Sequence, residues 1–151
     1  MADIKRILVP TDFSAPADGA LTYALDLATT LGAKVSLVHV FDDESGIHSG
    51  EYVPMPAEMR SEILADLRRR LNDVVAKRGH SELSPQVLIG PIARSIVECA
   101  RDSKADLIVM GTHGRHGMAH LLLGSVAERV VRTATCPVLT VRPPAATGTS
   151  A

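Results

Sequence analysis

Residues 105–125 of this chain read ADLIVMGTHGRHGMAHLLLGS. The run Asp106–Met110 has the continuous apolar character expected of a central strand that is covered on both faces. Glycines follow at positions 111, 114, 117 and 124, and Ser125 stands at the start of a helical pattern. Glycines let the backbone approach a ligand closely, and the free N–H groups at a helix start attract anions. The stretch therefore predicts a strand followed by a phosphate-binding loop.

Four further apolar runs alternate with helical patterns along the chain. They are Ile4–Val9, Lys34–Phe41, Gln86–Ile89 and Val138–Val141. Such alternation predicts an α/β domain built on a parallel sheet. The last run lies between Pro137 and Pro143, which suits an edge strand. Ligands of such sheets bind beyond the carboxyl ends of the strands, so the loops after the first, second and fourth strands are the candidate sites.

The helical patterns have recognisable ends. Ser14 is the predicted N-cap of the first helix and Gly32 its C-terminal stop. The second helix is predicted from about Pro56 to Arg78, ended by Gly79, with the Arg68–Arg70 run on its solvated face. Its predicted inward residues are Met59, Ile63, Leu67, Leu71, Val74 and Val75. A shorter helix carries Ile96, Val97 and Ala100, and a last one carries Val126, Val130 and Val131.

Two polar segments lie outside these elements. The stretch from Asp42 to Pro56 contains Gly and Pro and predicts a long, mobile loop after the second strand. The tail from Pro144 onward has nothing to bury and is expected to fray. We therefore predict one domain over residues 1–143 and a flexible tail over residues 144–151.

Composition excludes several classes of protein. The 151 residues are 46% hydrophobic and 22% charged, which is typical of one globular domain. Lys and Arg total 16 against 17 for Asp and Glu, so no overall field attracts nucleic acid or an anionic membrane. No apolar stretch approaches the ~18 residues of a membrane span. Cys99 and Cys136 match no metal or disulfide spacing, which favours buried thiols, a reducing compartment and hence the cytoplasm.

The glycine loop is not a Walker A motif or a GxGxxG dinucleotide motif. Its spacing is Gly111-x2-Gly114-x9-Gly124-Ser125. With this spacing the chain resembles the universal stress protein family, and specifically the ATP-binding branch, whose motif is G-x2-G-x9-G-(S/T). The resemblance runs from RILVPTDFS at residues 6–14 to CPVLTVRP at residues 136–143.

The resemblance implies a flavodoxin-like, Rossmann-like three-layer sandwich with four helices and a five-stranded parallel sheet in the order 3-2-1-4-5. It also implies ATP as the ligand, together with Mg²⁺. A further implication is a homodimer formed by antiparallel pairing of the fifth strand, Val138–Val141. An unpaired edge strand and a crevice between the first and fourth strands agree with both expectations.

The resemblance also implies a set of nucleotide contacts. The contacts with the adenosine moiety fall on Pro10, Thr11, Asp12 and the backbone of Val40, and those near the ribose fall on Met110 and Gly111. The contacts around the phosphates fall on Gly114, Arg115, Gly124, Ser125 and Val126.

Other interpretations of single residues stay open. Asp12 can instead cap the turn into the first helix. His113, His116 and His120 would share a face of a helix, but the glycines between them argue against a helix and hence against a metal site. His39 is best interpreted as a histidine satisfied within the sheet.

Three functions follow from these residues. The first is an ATP-binding stress-response protein that acts as a nucleotide-dependent regulator or binding module. The second is a slow ATPase or adenine-nucleotide hydrolase of the same fold group. The third is a dimeric interaction module whose nucleotide site is vestigial. Phosphoryl transfer needs positioned charge, and Asp12 alone is well placed, which favours the first.

Overall fold

The computed structural model describes residues 2–44, 50, 53–80, 82–113 and 123–143. Strands and helices alternate along the chain as predicted. The strands are β1 (Arg6–Pro10), β2 (Lys34–Phe41), β3 (Leu83–Ile89), β4 (Leu107–Gly111) and β5 (Val138–Val141). The helices are α1 (Ala15–Leu31), α2 (Ala57–Arg78), α3 (Ile92–Asp102) and α4 (Ser125–Thr133).

All five strands pair in parallel, and their order in the sheet is β3-β2-β1-β4-β5. Helices α1 and α2 cover one face and α3 and α4 the other. Side chains alternate between the two faces along β4, so this strand contributes to both cores. Leu107 and Val109 pack with α1, while Ile108 and Met110 pack with α3 and α4. The fold is thus the predicted three-layer α/β sandwich.

The ends of α1 follow from its sequence. Ser14 accepts a hydrogen bond from the Ala17 amide at 3.3 Å, which satisfies one of the orphan N–H groups of the first turn. Gly32 closes the helix with a left-handed φ of 65°, a conformation that glycine adopts without strain. Both predicted ends are confirmed.

Strand β3 is longer than predicted, because it begins at Leu83 and runs through Pro85. The Gly90 amide donates to the Phe41 carbonyl at 3.0 Å. Backbone groups alternate in direction along a strand, so those of the even-numbered residues of β3 point to β2 and those of Pro85 point away from the sheet. The missing N–H of Pro85 therefore removes no bond of the ladder.

Three other predictions need correction. Met59 was expected in the core, yet it is 51% exposed, because Leu67 and Leu71 supply the buried face of α2. Strand β1 begins at Arg6 rather than Ile4 and includes Pro10. Arg70 does not point into solvent with its neighbours. Its guanidinium carbon lies 4.1 Å from the centre of the Phe13 ring.

The loop predicted from Asp42 to Pro56 lies partly outside the described residues, as does the tail from residue 144. The described parts of the loop contain no helix or strand. The proposed domain boundary at residue 143 stays a prediction. Within the described part of the chain, no helix has the length and apolarity needed to cross a membrane.

Candidate functional site

The candidate site lies at the carboxyl end of the sheet, where β1 and β4 are neighbours and the chain continues from each of them to a different face of the sheet. The loop after β1 enters α1 on one face of the sheet, and the chain after β4 leads to α4 on the other. This is the position at which the order of the strands reverses and a crevice opens.

The first loop, residues 11–14, is held by a series of short-range hydrogen bonds. The Phe13 amide donates to the Thr11 hydroxyl and the Ser14 amide donates to the Asp12 carboxylate, each at 3.0 Å. Asp12 therefore does perform the local capping that was its alternative interpretation. The ligand contact assigned to Asp12 stays a prediction.

Phe13 has a left-handed φ of 64°, which is uncommon for a residue other than glycine and costs about 1–3 kcal/mol. Its ring has two close partners. The centre of the His39 ring is 4.7 Å away, and the Arg70 guanidinium covers the ring from α2. These contacts offset the strain and keep the first loop in one conformation.

The end of β2 also contributes to the site. The ladder between β1 and β2 ends at the pair Pro10–Val38, and the Thr11 amide then donates to the Val38 carbonyl at 2.8 Å. Alternate residues of a strand face the same neighbour, so the amide and carbonyl of Val40 also point to the side of β1, beyond its last pair. The Val40 side chain is buried under α3 and α4. Its backbone therefore faces the crevice.

Thr112 connects the two halves of the glycine motif. This residue is 1% exposed, its amide donates to the Val141 carbonyl at 3.2 Å and its carbonyl accepts from the Gly124 amide at 2.5 Å. The hydroxyl lies 3.0 Å from Nδ1 of His113. Gly124 and the start of α4 are thus brought to the end of β4, although 12 positions separate Gly124 from Thr112 in the sequence.

Gly111 also makes a close approach, but to the protein itself. A Cβ atom at this position would lie 3.1 Å from the carbonyl carbon and oxygen of Pro16, in the first turn of α1. The glycine therefore allows α1 to start directly beside β4. The first turns of α1 and α4 consequently flank the same crevice from opposite faces.

The predicted site residues divide into three groups. Pro10, Thr11, Asp12, Val40, Gly111, Gly124 and Ser125 come together at this end of the sheet. The Met110 side chain is buried in the core under α3 and α4, so this residue reaches the crevice by its backbone at most, and Val126 is a partly buried residue of α4 that packs against the same core. Gly114 and Arg115 lie outside the described residues.

The sequence did not indicate Phe13, Thr112, Pro16 or Arg70 as residues that shape the site. Thr112 alone offered a signal, because it is a polar residue placed directly after a buried strand and between two motif glycines. The contacts of Phe13 with Arg70 and of Gly111 with Pro16 join elements that are distant in the sequence, so no local sequence pattern predicts them.

The described residues contain no group of three or more His, Cys, Asp or Glu side chains able to hold a metal ion. His116 and His120 of the histidine cluster considered above lie outside those residues. Cys99 and Cys136 are free thiols that are half-buried rather than buried as predicted, and their partial burial raises the pKa of each. Raised pKa values keep both thiols protonated at neutral pH, in agreement with an unreactive role.

Comparison with known proteins agrees with this architecture. Residues 3–142 match the universal stress protein family. The universal stress protein MJ0531 of Methanocaldococcus jannaschii is 37% identical over 147 residues, which cover 93% of this chain and 83% of that protein.

Two solved structures extend the comparison. The hypothetical protein MJ0577, whose structure served to assign its biochemical function, superimposes with a TM-score of 0.77 at 29% identity, covering 93% of this chain and 97% of the other. A universal stress protein solved in complex with cAMP gives a TM-score of 0.67 at 25% identity, with coverages of 92% and 97%.

Proposed function

Because this chain belongs to the universal stress protein family, we propose that it binds ATP at the carboxyl end of its sheet and acts as a nucleotide-dependent regulator or binding module in the stress response. The observation that carries the proposal is the hydrogen bond between the Gly124 amide and the Thr112 carbonyl. It seats the start of α4 at the end of β4, beside the first loop.

The start of α4 suits the phosphates. Gly124 is the N-cap residue, and no side chain of the described residues caps the first turn. The amides of this turn and the positive end of the helix dipole favour a negative charge. Ser125 is exposed at the first helical position and can donate its hydroxyl to a phosphate oxygen. We assign Gly114 and Arg115 to the same phosphate contacts on the strength of the motif.

The opposite end of the crevice suits the adenosine moiety. We assign the adenosine contacts to Pro10, Thr11 and Asp12 and to the backbone of Val40, which points to the side of β1 and offers one donor and one acceptor. We assign the ribose contacts to Met110 and Gly111 on the strength of the family motif. A family member of this fold has been solved with cAMP, which supports an adenine nucleotide as the ligand class.

The described residues fit ATP better than they fit a protein-held Mg²⁺. Asp12 accepts the Ser14 amide, and the described part of the chain offers no cluster of carboxylates. Mg²⁺ commonly keeps several waters and binds through substrate phosphates. We therefore propose that it enters with the triphosphate. Hydrolysis also needs a group that positions and activates the attacking water, and among the described residues Asp12 alone was a candidate, so we propose binding rather than turnover.

The test is a calorimetric titration of the nucleotide-free protein with ATP and Mg²⁺, with AMP as the comparison ligand. The variant is Ser125→Asp. An acidic residue in the first turn stabilises a helix by about 0.3–1 kcal/mol, so the fold is retained, but its charge repels the phosphates. We expect the affinity for ATP to fall at least about tenfold, more than the affinity for AMP.

The matched control is Ser125→Ala, which loses only the hydroxyl and should weaken ATP binding less than the aspartate does. Ser84→Ala, an exposed serine on β3, should change nothing. Failure of the folded, nucleotide-free wild type to bind ATP would reject the proposed function. Equal ATP affinities for Ser125→Asp and the wild type would reject the phosphate position.

We further propose a homodimer through β5, in which Val138–Val141 pairs with the same strand of a second copy. The strand lies at the edge of the sheet, and all four of its residues are partly accessible. An unpaired edge exposes backbone donors and acceptors that pairing would satisfy. The two free thiols keep the cytoplasm as the proposed compartment.

A further inference from the structure

Val40 lies at the position where the ladder between β1 and β2 would gain its next rung. In a parallel pair, a residue that faces its neighbour bonds to the residues on either side of its partner. Val38 illustrates the pattern, since its carbonyl accepts from the Thr11 amide. Two residues further on, Val40 would donate to the Thr11 carbonyl and accept from the Phe13 amide.

Both of these partners are engaged elsewhere. The Thr11 carbonyl accepts from Nδ1 of His39 at 2.8 Å. A carbonyl oxygen can only accept, so Nδ1 of His39 carries the proton. The Phe13 amide donates to the hydroxyl of Thr11 at 3.0 Å instead of to a strand carbonyl. The imidazole thus uses one of the two acceptor positions of the Thr11 carbonyl and the hydroxyl engages the Phe13 amide, which are the two groups that would otherwise pair with Val40.

The His39 ring is well held in this position. It lies on the same face of the sheet as Leu37, and its centre lies 4.7 Å from that of the Phe13 ring, which the Arg70 guanidinium also contacts. The contact with Phe13 orients the ring, so that Nδ1 stays aimed at the Thr11 carbonyl.

From this geometry we propose that His39 is a positioning residue that sets the preference of the site for adenine. By binding the Thr11 carbonyl, the imidazole keeps β1 from extending its ladder with β2 and leaves the amide and carbonyl of Val40 facing the crevice. The inference rests on the proposed function, because it assigns those two backbone groups to the base of the nucleotide.

The chemistry of the base gives the preference its direction. Adenine carries an amino donor beside a ring-nitrogen acceptor, which match a backbone carbonyl and a backbone amide. On the Watson–Crick edge, guanine carries an acceptor at position 6 and a donor at position 1, where adenine carries a donor and an acceptor, so a fixed amide and carbonyl cannot satisfy both bases equally. Sites built to hydrogen-bond one pattern discriminate against its mismatch.

The experiment compares His39→Leu, His39→Asn and His39→Gln with the wild type. Leucine removes the donor. The amide nitrogen of asparagine lies close to the position of Nδ1 and can still donate to the Thr11 carbonyl, whereas that of glutamine extends towards the position of Nε2. His80→Leu, an exposed histidine after α2, is the control for loss of an imidazole.

The measurements are the affinities for ATP, AMP and GTP and the hydrogen exchange rate of the Val40 amide. For His39→Leu and His39→Gln we expect the affinities for ATP and AMP to fall together, by about tenfold for one lost hydrogen bond, with little change for GTP. The Val40 amide should exchange more slowly, because it can now pair with Thr11. His39→Asn and His80→Leu should behave as the wild type.

A role in packing alone predicts lower stability and faster exchange, which is the opposite result. The inference is overturned if His39→Leu and His39→Gln keep the wild-type preference for ATP over GTP, or if asparagine loses as much affinity as glutamine. If His39→Leu does not fold, the comparison of asparagine with glutamine decides. If the wild type binds no nucleotide, the proposed function fails, while the exchange rate of Val40 still tests the competition for the Thr11 carbonyl.

Discussion

Gly111 has an architectural role that is independent of its proposed contact with the ligand. A methyl group added there meets the backbone of Pro16 at 3.1 Å, which is tighter than ordinary packing and involves atoms that cannot rotate away. We expect Gly111→Ala to lower the free energy of unfolding by about 1–3 kcal/mol, measured by urea denaturation.

Gly19 provides the matched control, because it lies in the same helix that Gly111 approaches and a Cβ there meets nothing within 4 Å. Gly19→Ala should raise the free energy of unfolding by about 0.5–1 kcal/mol, since alanine loses less backbone entropy in a helix. A Gly111→Ala variant as stable as the wild type would show that α1 can shift away from β4 without cost.

Single residues could be predicted where the chemistry is local. Ser14 accepts from an amide three positions away, and the alternative assigned to Asp12 was an interaction with its own turn. Thr112 and His39 act on groups that are 12 and 28 positions distant, in the Gly124 amide and the Thr11 carbonyl. Such contacts depend on which strands become neighbours, and that information is not contained in a window of sequence.

At the level of elements, the amino ends of β1 and β4 are joined through one carboxylate. Asp106 accepts from the Lys5 and Arg6 amides at 2.8 and 2.9 Å, and its own amide donates to the Arg6 carbonyl at 2.8 Å. The two bonds to the carboxylate, from Lys5 first and Arg6 second, hold the pKa of Asp106 below its ordinary value.

The sign of the resulting pH dependence follows from the lowered pKa. A carboxylate whose pKa is lower in the folded state stabilises the fold fully above its unfolded pKa, and this stabilisation is lost as the pH falls through the folded value. We expect Asp106→Asn to be less stable than the wild type at pH 7. The difference should shrink below about pH 4, the ordinary carboxyl value.

The measurement is urea denaturation of both proteins between pH 2 and 7. Asp3→Asn serves as the control for the loss of one negative charge near the same strand, since Asp3 is an exposed partner of the Lys5 side chain. A stability difference between wild type and Asp106→Asn that stays constant down to pH 2 would contradict the role assigned to the carboxylate.

Elements were predicted well where one pattern determined both ends. Strands β2 and β5 have the predicted bounds, and α1 lies between its predicted cap and stop. The predicted β3 was too short, because a proline normally interrupts a strand and Pro85 was therefore left outside it. Its outward position in the edge strand became visible only with the register against β2. Met59 was misplaced because periodicity locates an apolar stripe but not which of its residues pack into the core, here Leu67 and Leu71.

For the whole molecule, the strand order came from the resemblance to a family rather than from composition or periodicity, and the structure confirms it. Alternation of strands and helices predicts a parallel sheet, but several orders satisfy it. The residues assigned to the phosphate loop between Gly114 and the end of the glycine motif remain a prediction, since the described chain resumes at residue 123.

The two edges of the sheet differ in their capacity for self-association. On β3, Pro85 faces outward and removes a donor from that edge, which discourages a second strand from pairing. On β5, the carbonyl of Val141 accepts from Thr112, so the odd-numbered residues face β4 and the backbone groups of Val138 and Thr140 face outward. The edge at β5 keeps its donors, and we therefore place the dimer there rather than at β3.

The alternation of backbone groups along β5, towards β4 and away from it, allows a selective test of the proposed dimer. Thr140→Pro removes an N–H that points away from β4, so it should spare the ladder with β4 while it blocks pairing with a second copy. Leu139→Pro instead removes an N–H that faces β4 and should destabilise the monomer as well. Sedimentation velocity should therefore give twice the chain mass for the wild type and the mass of one folded chain for Thr140→Pro, with its circular dichroism unchanged. A Thr140→Pro protein that remains dimeric would move the interface to another surface. A wild type that sediments as a monomer would leave the edge of β5 without a second copy and remove the homodimer from the proposal.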